Sequence, residues 1–208
     1  MFFFELLGND PLAYLVAFAA AAFGLVVHNL FQAYLADRYK DGDPRRYGFL
    51  TVEPKVHLDG LGLIFLALIG FGFPRLVPWR LFGAKGAQTA LMGPLGFFVA
   101  AFFYILLGRI LDNLGPATSS IALGLQVAGS LMISHAAVFL FPVPPLDGAR
   151  VVYAIGSPEA RRFMDQLQSY GFLGFFVIFL ILNLSGILPA IRAGLSGLLN
   201  SLFAAIGL

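Results

Sequence analysis

The stretch VVHNLFQAYLADRYKDGDP, Val26 to Pro44, decides how the chain reads. Its first half is apolar and helical in pattern, and it carries His28 and Gln32 four residues apart. Residues at that spacing share one face of an α-helix, and two metal ligands presented by a helix use it. One of the two is the wrong type, because Gln32 is an amide. Its second half turns polar, with Asp37, Arg38, Lys40, Asp41 and Asp43 ahead of Pro44.

Composition sets the solvent for that helix. The chain has 208 residues, of which 59% are hydrophobic and 12% charged. Its mean hydropathy is +0.87. A soluble domain carries roughly 25% charged residues, so most of this chain is expected in lipid, as a single integral-membrane domain over 1–208. There is no cysteine, which removes disulfides, thiolate metal sites and thiol nucleophiles. A net charge of +2 is too small for nucleic-acid binding, and in a membrane protein the placement of charge matters more than its sum. The N-terminus lacks a basic leader and carries Glu5 and Asp10 early. It is therefore read as mature protein rather than a signal peptide.

A membrane-spanning helix needs about 20 mostly apolar residues. Pro11 to Ala36 qualifies, opened by Asn9-Asp10-Pro11 as a cap followed by a first-turn proline. Gln88 to Ile110, Ala117 to Phe141 and Tyr170 to Leu188 also qualify. The tail 189–208 is apolar but interrupted by glycines, and is either a fifth span or an interfacial helix. Leu61 to Phe73 has only 13 residues, the length of a re-entrant or interfacial segment. Ahead of it, Phe49, Thr51 and Glu53 alternate with Leu50 and Val52, which predicts a short strand or hairpin. Residues 37–87 then form one insertion at a single membrane face, and the fold class expected is an all-α polytopic protein of four to five spans.

Charge placement agrees with that topology. Of 13 Lys and Arg, eight fall within 37–87 and three more, Arg150, Arg161 and Arg162, follow the third span. If Leu61–Phe73 does not cross, 11 of the 13 share one side, and the positive-inside bias makes that side cytoplasmic. The end of the first span and the loop FPVPPLDGARV, with Asp147, then lie at the same face.

These motifs, in order, resemble the site-2 protease family of intramembrane zinc metalloproteases, in its short branch without a PDZ domain. HNLFQAYLADRYKDGDP stands where the family has H-E-x-x-H-A followed by Gly-Asp-Pro. VEPKVHLDGLG is similar to its Asn-Pro-x-x-His-(Ile/Leu)-Asp stretch. ALMGPLGFFVA is similar to its Ala-Gly-Pro helix start, FPVPPLDGARV to its Leu-Asp-Gly motif, and YGFLGFFVIFLIL to its last helix. The resemblance implies a zinc ion held by two helix histidines and the Asp of Leu-Asp-Gly. A zinc-bound water would give up its proton to the Glu that follows the first His.

Carried over residue by residue, the chain keeps His28 and Asp147 as metal ligands and departs elsewhere. Gln32 occupies the second His position; its carbonyl is a poorer zinc donor than imidazole. Asn29 occupies the general-base position, and an amide is no base near neutral pH. Phe139 stands where the family has an Asn. The expectation is a pseudoprotease in the cell membrane whose cleft binds transmembrane segments without cutting them. The alternative is an active zinc endopeptidase with a rearranged site. His135 is either a packing residue or a substitute ligand in that alternative. Asp147 is either a ligand or a turn residue before Gly148.

Other polar residues read more simply. Gln126, Ser130 and Ser134 form a stripe expected to hydrogen-bond within helix packing. His57 is expected to be structural, and Trp79 with Arg75 and Arg80 to be an interfacial anchor.

Overall fold

The computed structural model describes residues 3–207. A short helix α1 (Glu5–Asn9) leads into α2 (Pro11–Arg38). The carboxylate of Asp10 accepts from the Ala13 N–H at 3.0 Å, and Pro11 occupies the first turn, so the expected cap is the observed one. At 1.5 Å per residue α2 is about 42 Å long, ample for a bilayer. The remaining long helices are α6 (Gly83–Asp112), α7 (Ser119–Phe139) and α11 (Ile187–Ala205). By length and composition these and α2 are the four candidate spans among the described residues.

The core is the packing of α2, α6 and α7. Small residues make it possible: Ala21 on α2 is buried in one cluster with Phe97, Ala100 and Ala101 of α6 and Met132 and Ala136 of α7, Gly24 faces Met132, and Ala13 and Ala17 lie beside Val127 and Leu131 of α7. Lipid offers no hydrophobic gain for joining one helix to another, so close backbone approach and van der Waals contact hold the bundle.

Two expected spans change on inspection. The predicted 170–188 helix is α10 (Gly171–Leu184), 14 residues, or about 21 Å, short of a ~30 Å hydrocarbon core. It follows α9 (Pro158–Ser169), and the pair is bent by 106°; counted as one broken span it gives the fifth. The tail, left open by its glycines, is a continuous helix of 19 residues with spanning hydropathy.

Between α2 and α6 the insertion folds as α3 (Asp43–Arg46), α4 (Pro54–His57) and α5 (Gly60–Ile69). The hairpin predicted at Phe49–Glu53 is absent: the described residues contain no strand, only an isolated antiparallel bridge between Leu58 and Pro74. The alternation there is real, but Gly48 at φ 80 and Pro54 confine it. The Phe49 N–H instead turns back to Pro44 O at 2.8 Å, and its ring packs edge-on to His57.

The re-entrant reading fares better. The Asp59 side chain caps α5 by accepting from Gly62 N at 2.9 Å. The helix descends until the Tyr14 hydroxyl donates to Ala67 O at 2.9 Å, and the chain then turns at Gly70. It returns through Phe71–Phe73, where a Cβ on Gly62 would overlap the Phe73 carbonyl. The Leu58–Pro74 bridge and the Arg75 N–H donating to His57 O at 2.7 Å close the two ends on each other. The segment therefore enters and leaves at one level.

That geometry makes two predictions. Cysteines placed singly at Lys55 and Arg75 of the cysteine-free chain label from the same side of the bilayer; labelling from opposite sides contradicts the loop. His57 is fully buried, and desolvation holds its imidazole below the usual histidine range, against the opposing pull of its Nε2–H bond to Thr51 O at 2.7 Å. The unfolded chain then binds more protons, so stability falls as pH drops below about 6.5. A His57→Gln variant, measured by denaturation from pH 7 to 5, loses that component of the slope.

Candidate functional site

Helical spacing puts His28 and Gln32 on one buried face of α2, toward α6 and α8 (Asp147–Ile155). Asp147 opens α8, where its charge suits the helix N-terminus. His28 Nε2 lies 2.6 Å from Asp147 Oδ2, and the Gln32 amide N–H donates to Asp147 Oδ1 at 2.7 Å and to Ala90 O at 3.2 Å. Phe97 and Phe139 wall the imidazole, with ring centroids 4.5 and 5.1 Å from it.

Asn29 is held as firmly. Its amide donates to Arg75 O at 2.9 Å, which turns its carbonyl oxygen onto His28 Nδ1 at 2.9 Å. With an acceptor at that position Nδ1 carries the hydrogen. The short Nε2–Oδ2 contact then requires one proton between ring and carboxylate, since two acceptors do not approach so closely unbridged.

Arg150 completes the cluster. It donates to Gln32 Oε1 at 3.0 Å and to Val77 O at 2.8 Å, and its guanidinium lies 3.8 Å from the Trp79 ring centroid. Desolvation pulls Arg150 down to about 10, against the upward pull of Asp147, so it remains cationic at neutral pH. The Trp79 expectation changes accordingly: its ring covers a half-buried cation beside the site rather than anchoring only at the interface.

Gly93 on α6 is the floor of this arrangement. A Cβ there would overlap Asp147 Oδ2, His28 Nε2 and Gln32 Nε2 together. The Gly-Pro motif thus supplies the room in which three polar side chains converge.

Of the residues singled out by sequence, His28, Asn29, Gln32 and Asp147 meet in one cluster. His135 does not join them. Its Nδ1–H donates to Leu131 O at 2.7 Å, and its Nε2 accepts from the Gly72 N–H at 3.0 Å, with Phe71 stacked on the ring. Both ring nitrogens thus have backbone partners, one in its own helix and one in the re-entrant return. Arg150 and Trp79 went unassigned to the site by sequence. The signal for Arg150 is its place one helical turn after Asp147; for Trp79 no local signal exists.

The donor set does not fit a zinc ion. Such a site takes three or four imidazole, carboxylate or thiolate donors, and no group of three or more His, Asp or Glu gathers among the described residues. The third position is an amide whose nitrogen faces Asp147 and whose oxygen is bonded to Arg150.

Comparison with known proteins gives a consistent set. A Bacillus subtilis protein named "Putative zinc metalloprotease YwhC" is 34% identical over 191 residues, covering 86% of this chain and 87% of that protein. "Putative zinc metalloprotease Rip2" of Mycobacterium tuberculosis is 26% identical over 190 residues, 85% of this chain and 73% of its own length. The protein of the same name from Mycolicibacterium smegmatis is 28% identical over 176 residues, 78% and 67%. No family model matches the chain, and no solved structure does.

The cluster predicts an asymmetry between two variants. Asp147→Leu removes the carboxylate that His28 and the Gln32 amide bond to and the counter-charge beside the half-buried Arg150, and costs about 3–5 kcal/mol. Gln32→Leu removes neutral hydrogen bonds and costs about 1–3 kcal/mol. Unfolding free energies measured in mixed micelles check the order.

Proposed function

The chain belongs to the site-2 protease family, and from that premise we propose that it is a non-cleaving member, a membrane protein whose cleft holds a transmembrane segment of a partner without hydrolysing it. The observation that carries this reading is the closed polar network. Asp147 accepts at both oxygens, and the Gln32 carbonyl is taken by Arg150. Metal-assisted hydrolysis needs an open coordination position and a base for the water proton. The side chain at the base position is Asn29, bound at both ends of its amide.

What remains is a cleft of about 360 Å³ bordered by Phe73, Val77, Phe139, Pro145 and Arg150. Its walls are mostly apolar with a few fixed polar groups, the character of a binding site. Arg150 and Asn29 hold the polar floor, and Phe139 narrows the space beside His28. Arg75 and Arg150 line the cleft and belong to the two segments that carry 11 of the 13 Lys and Arg, a face which we assign to the cytoplasm by the positive-inside bias.

One observation favours the rival reading, an active metalloprotease: the relatives' names are those of zinc metalloproteases. Two measurements on the purified protein separate the readings. The expected result is zinc well below one per chain, with no chelator-sensitive cleavage of a helical membrane substrate. Combining Asn29→Glu with Gln32→His restores the missing donor and base, and zinc content rises toward one per chain. Stoichiometric zinc with chelator-sensitive cleavage by the unaltered chain overturns the proposal.

A further inference from the structure

Between α7, α11 and the tip of the re-entrant loop runs a groove of about 840 Å³. Gln126, Ser130 and Ser134, expected from sequence to serve helix packing, line it instead. Facing them are Asn183 of α10 and Arg192 and Ser196 of α11. The groove follows α7 from Leu123 to Val138, about 22 Å of helix rise, enough for four turns of a docked helix. The cleft is bordered by the loop's return at Phe73 and Pro74, whereas the groove is bordered by its tip at Ile69 and Gly70.

Arg192 is the unusual member. His28 lies ten residues, or about 15 Å, inside the Arg38 end of α2. Asp147 touches His28, and Leu188 in the first turn of α11 packs beside the neighbouring Leu146. From there α11 continues away from that face until Phe203 stacks on Phe102 and lies under Arg109, near the far end of α6. Arg192, one turn beyond Leu188, is therefore about 20 Å from the Arg38 level, about half-way along the ~42 Å of α2, itself a candidate span. A charge at such depth is costly and usually has a counter-charge.

The described residues of this chain do not provide one. Among the described residues Arg192 makes no ion pair or hydrogen bond, and the side-chain amides of Gln126 and Asn183 make none either. The Ser130 and Ser134 hydroxyls donate to Gln126 O and Ser130 O, which leaves their oxygens free to accept. Glu5, Asp10 and Asp112 lie near helix ends, Asp147 is in the cluster, and the other acids belong to 37–87 and α9. The carboxylates nearest Arg192's level, Asp147 and Asp59, are already bonded within the chain, to His28 and Gln32 and to the Gly62 N–H, so a second copy offers none of these free to pair with Arg192.

We propose that this groove docks a transmembrane helix of another protein through a mid-membrane carboxylate that pairs with Arg192. A guanidinium accepts a carboxylate in two parallel hydrogen bonds. The stripe on α7 receives polar side chains one turn to either side of that carboxylate. Docking there is separate from the cleft and holds whether or not the cleft cuts.

The test uses the full chain in neutral phosphatidylcholine vesicles, with a fluorophore on a single Leu123→Cys at the end of the groove. The probes are 20-residue polyleucine helices carrying a quencher and Glu, Gln, Leu or Lys at the centre. The Glu peptide is expected to bind about tenfold tighter than the Leu peptide, the scale of one well-formed ionic hydrogen-bonded contact. Arg192→Gln abolishes the difference, and Arg192→Glu transfers the preference to the Lys peptide. Equal binding of the Glu and Leu peptides, or a Glu preference that survives Arg192→Gln, overturns the proposal. So does loss of the preference in phosphatidylglycerol vesicles, which makes lipid phosphate the occupant, or self-quenching without peptide, which makes it a second copy.

Discussion

Asp147 has two carboxylate oxygens, and the arrangement of the site follows from what each one touches. His28 Nε2 meets one at 2.6 Å and the Gln32 amide meets the other at 2.7 Å. Because the Asn29 carbonyl already sits on His28 Nδ1, the His28–Asp147 contact is bridged by a proton. Gln32 in turn presents its oxygen to Arg150, whose guanidinium is covered by Trp79. Each group satisfies the next, and a buried polar network of this kind is stable only when every member is satisfied. Substituting one amide for an imidazole therefore changes the whole cluster and not a single ligand.

The scaffold around it is held chiefly by close packing, to which the site residues add bonds of their own, Asn29 to Arg75 O and Gln32 to Ala90 O. The cluster lies where α2, α6 and α8 approach closely, and that approach depends on Gly93 and the small residues of α2 and α7. The re-entrant loop is pinned separately, by His135 against Gly72 and by Tyr14 against Ala67. The His135 and Tyr14 contacts do not involve Gln32 or Asn29, whereas Gly93 lies against Gln32 and the Asn29 amide itself holds the loop's return at Arg75 O. A membrane bundle relies on such close packing and internal hydrogen bonds because lipid supplies no substitute for them.

Sequence made the strongly periodic or length-limited features legible. The α2 span with its Asp10–Pro11 start, and the non-crossing Leu61–Phe73 segment, follow from helix length against bilayer thickness. The gathering of His28, Asn29, Gln32 and Asp147 was reached through ordered motifs, since nothing local ties residue 147 to residue 28. The hairpin at Phe49–Glu53 misled because a five-residue alternation between Gly48 and Pro54 also suits a chain of turns. The 170–188 span is shorter than its apolar composition suggests, because the helix stops at Leu184 ahead of Ser185 and reaches spanning length only together with α9. Arg150, Trp79 and the bracing role of His135 depend on partners far apart in the chain, and no spacing announces them.

The central claim is that a proton and an amide stand where a metalloprotease holds its ion. Nitrogen NMR of the His28 ring, in protein labelled at histidine and embedded in lipid, tests it most directly when spectra are recorded before and after one equivalent of zinc. The account predicts a hydrogen on Nδ1 and ring resonances that zinc leaves in place. A move of Nε2 to a metal-bound position on zinc addition would contradict it.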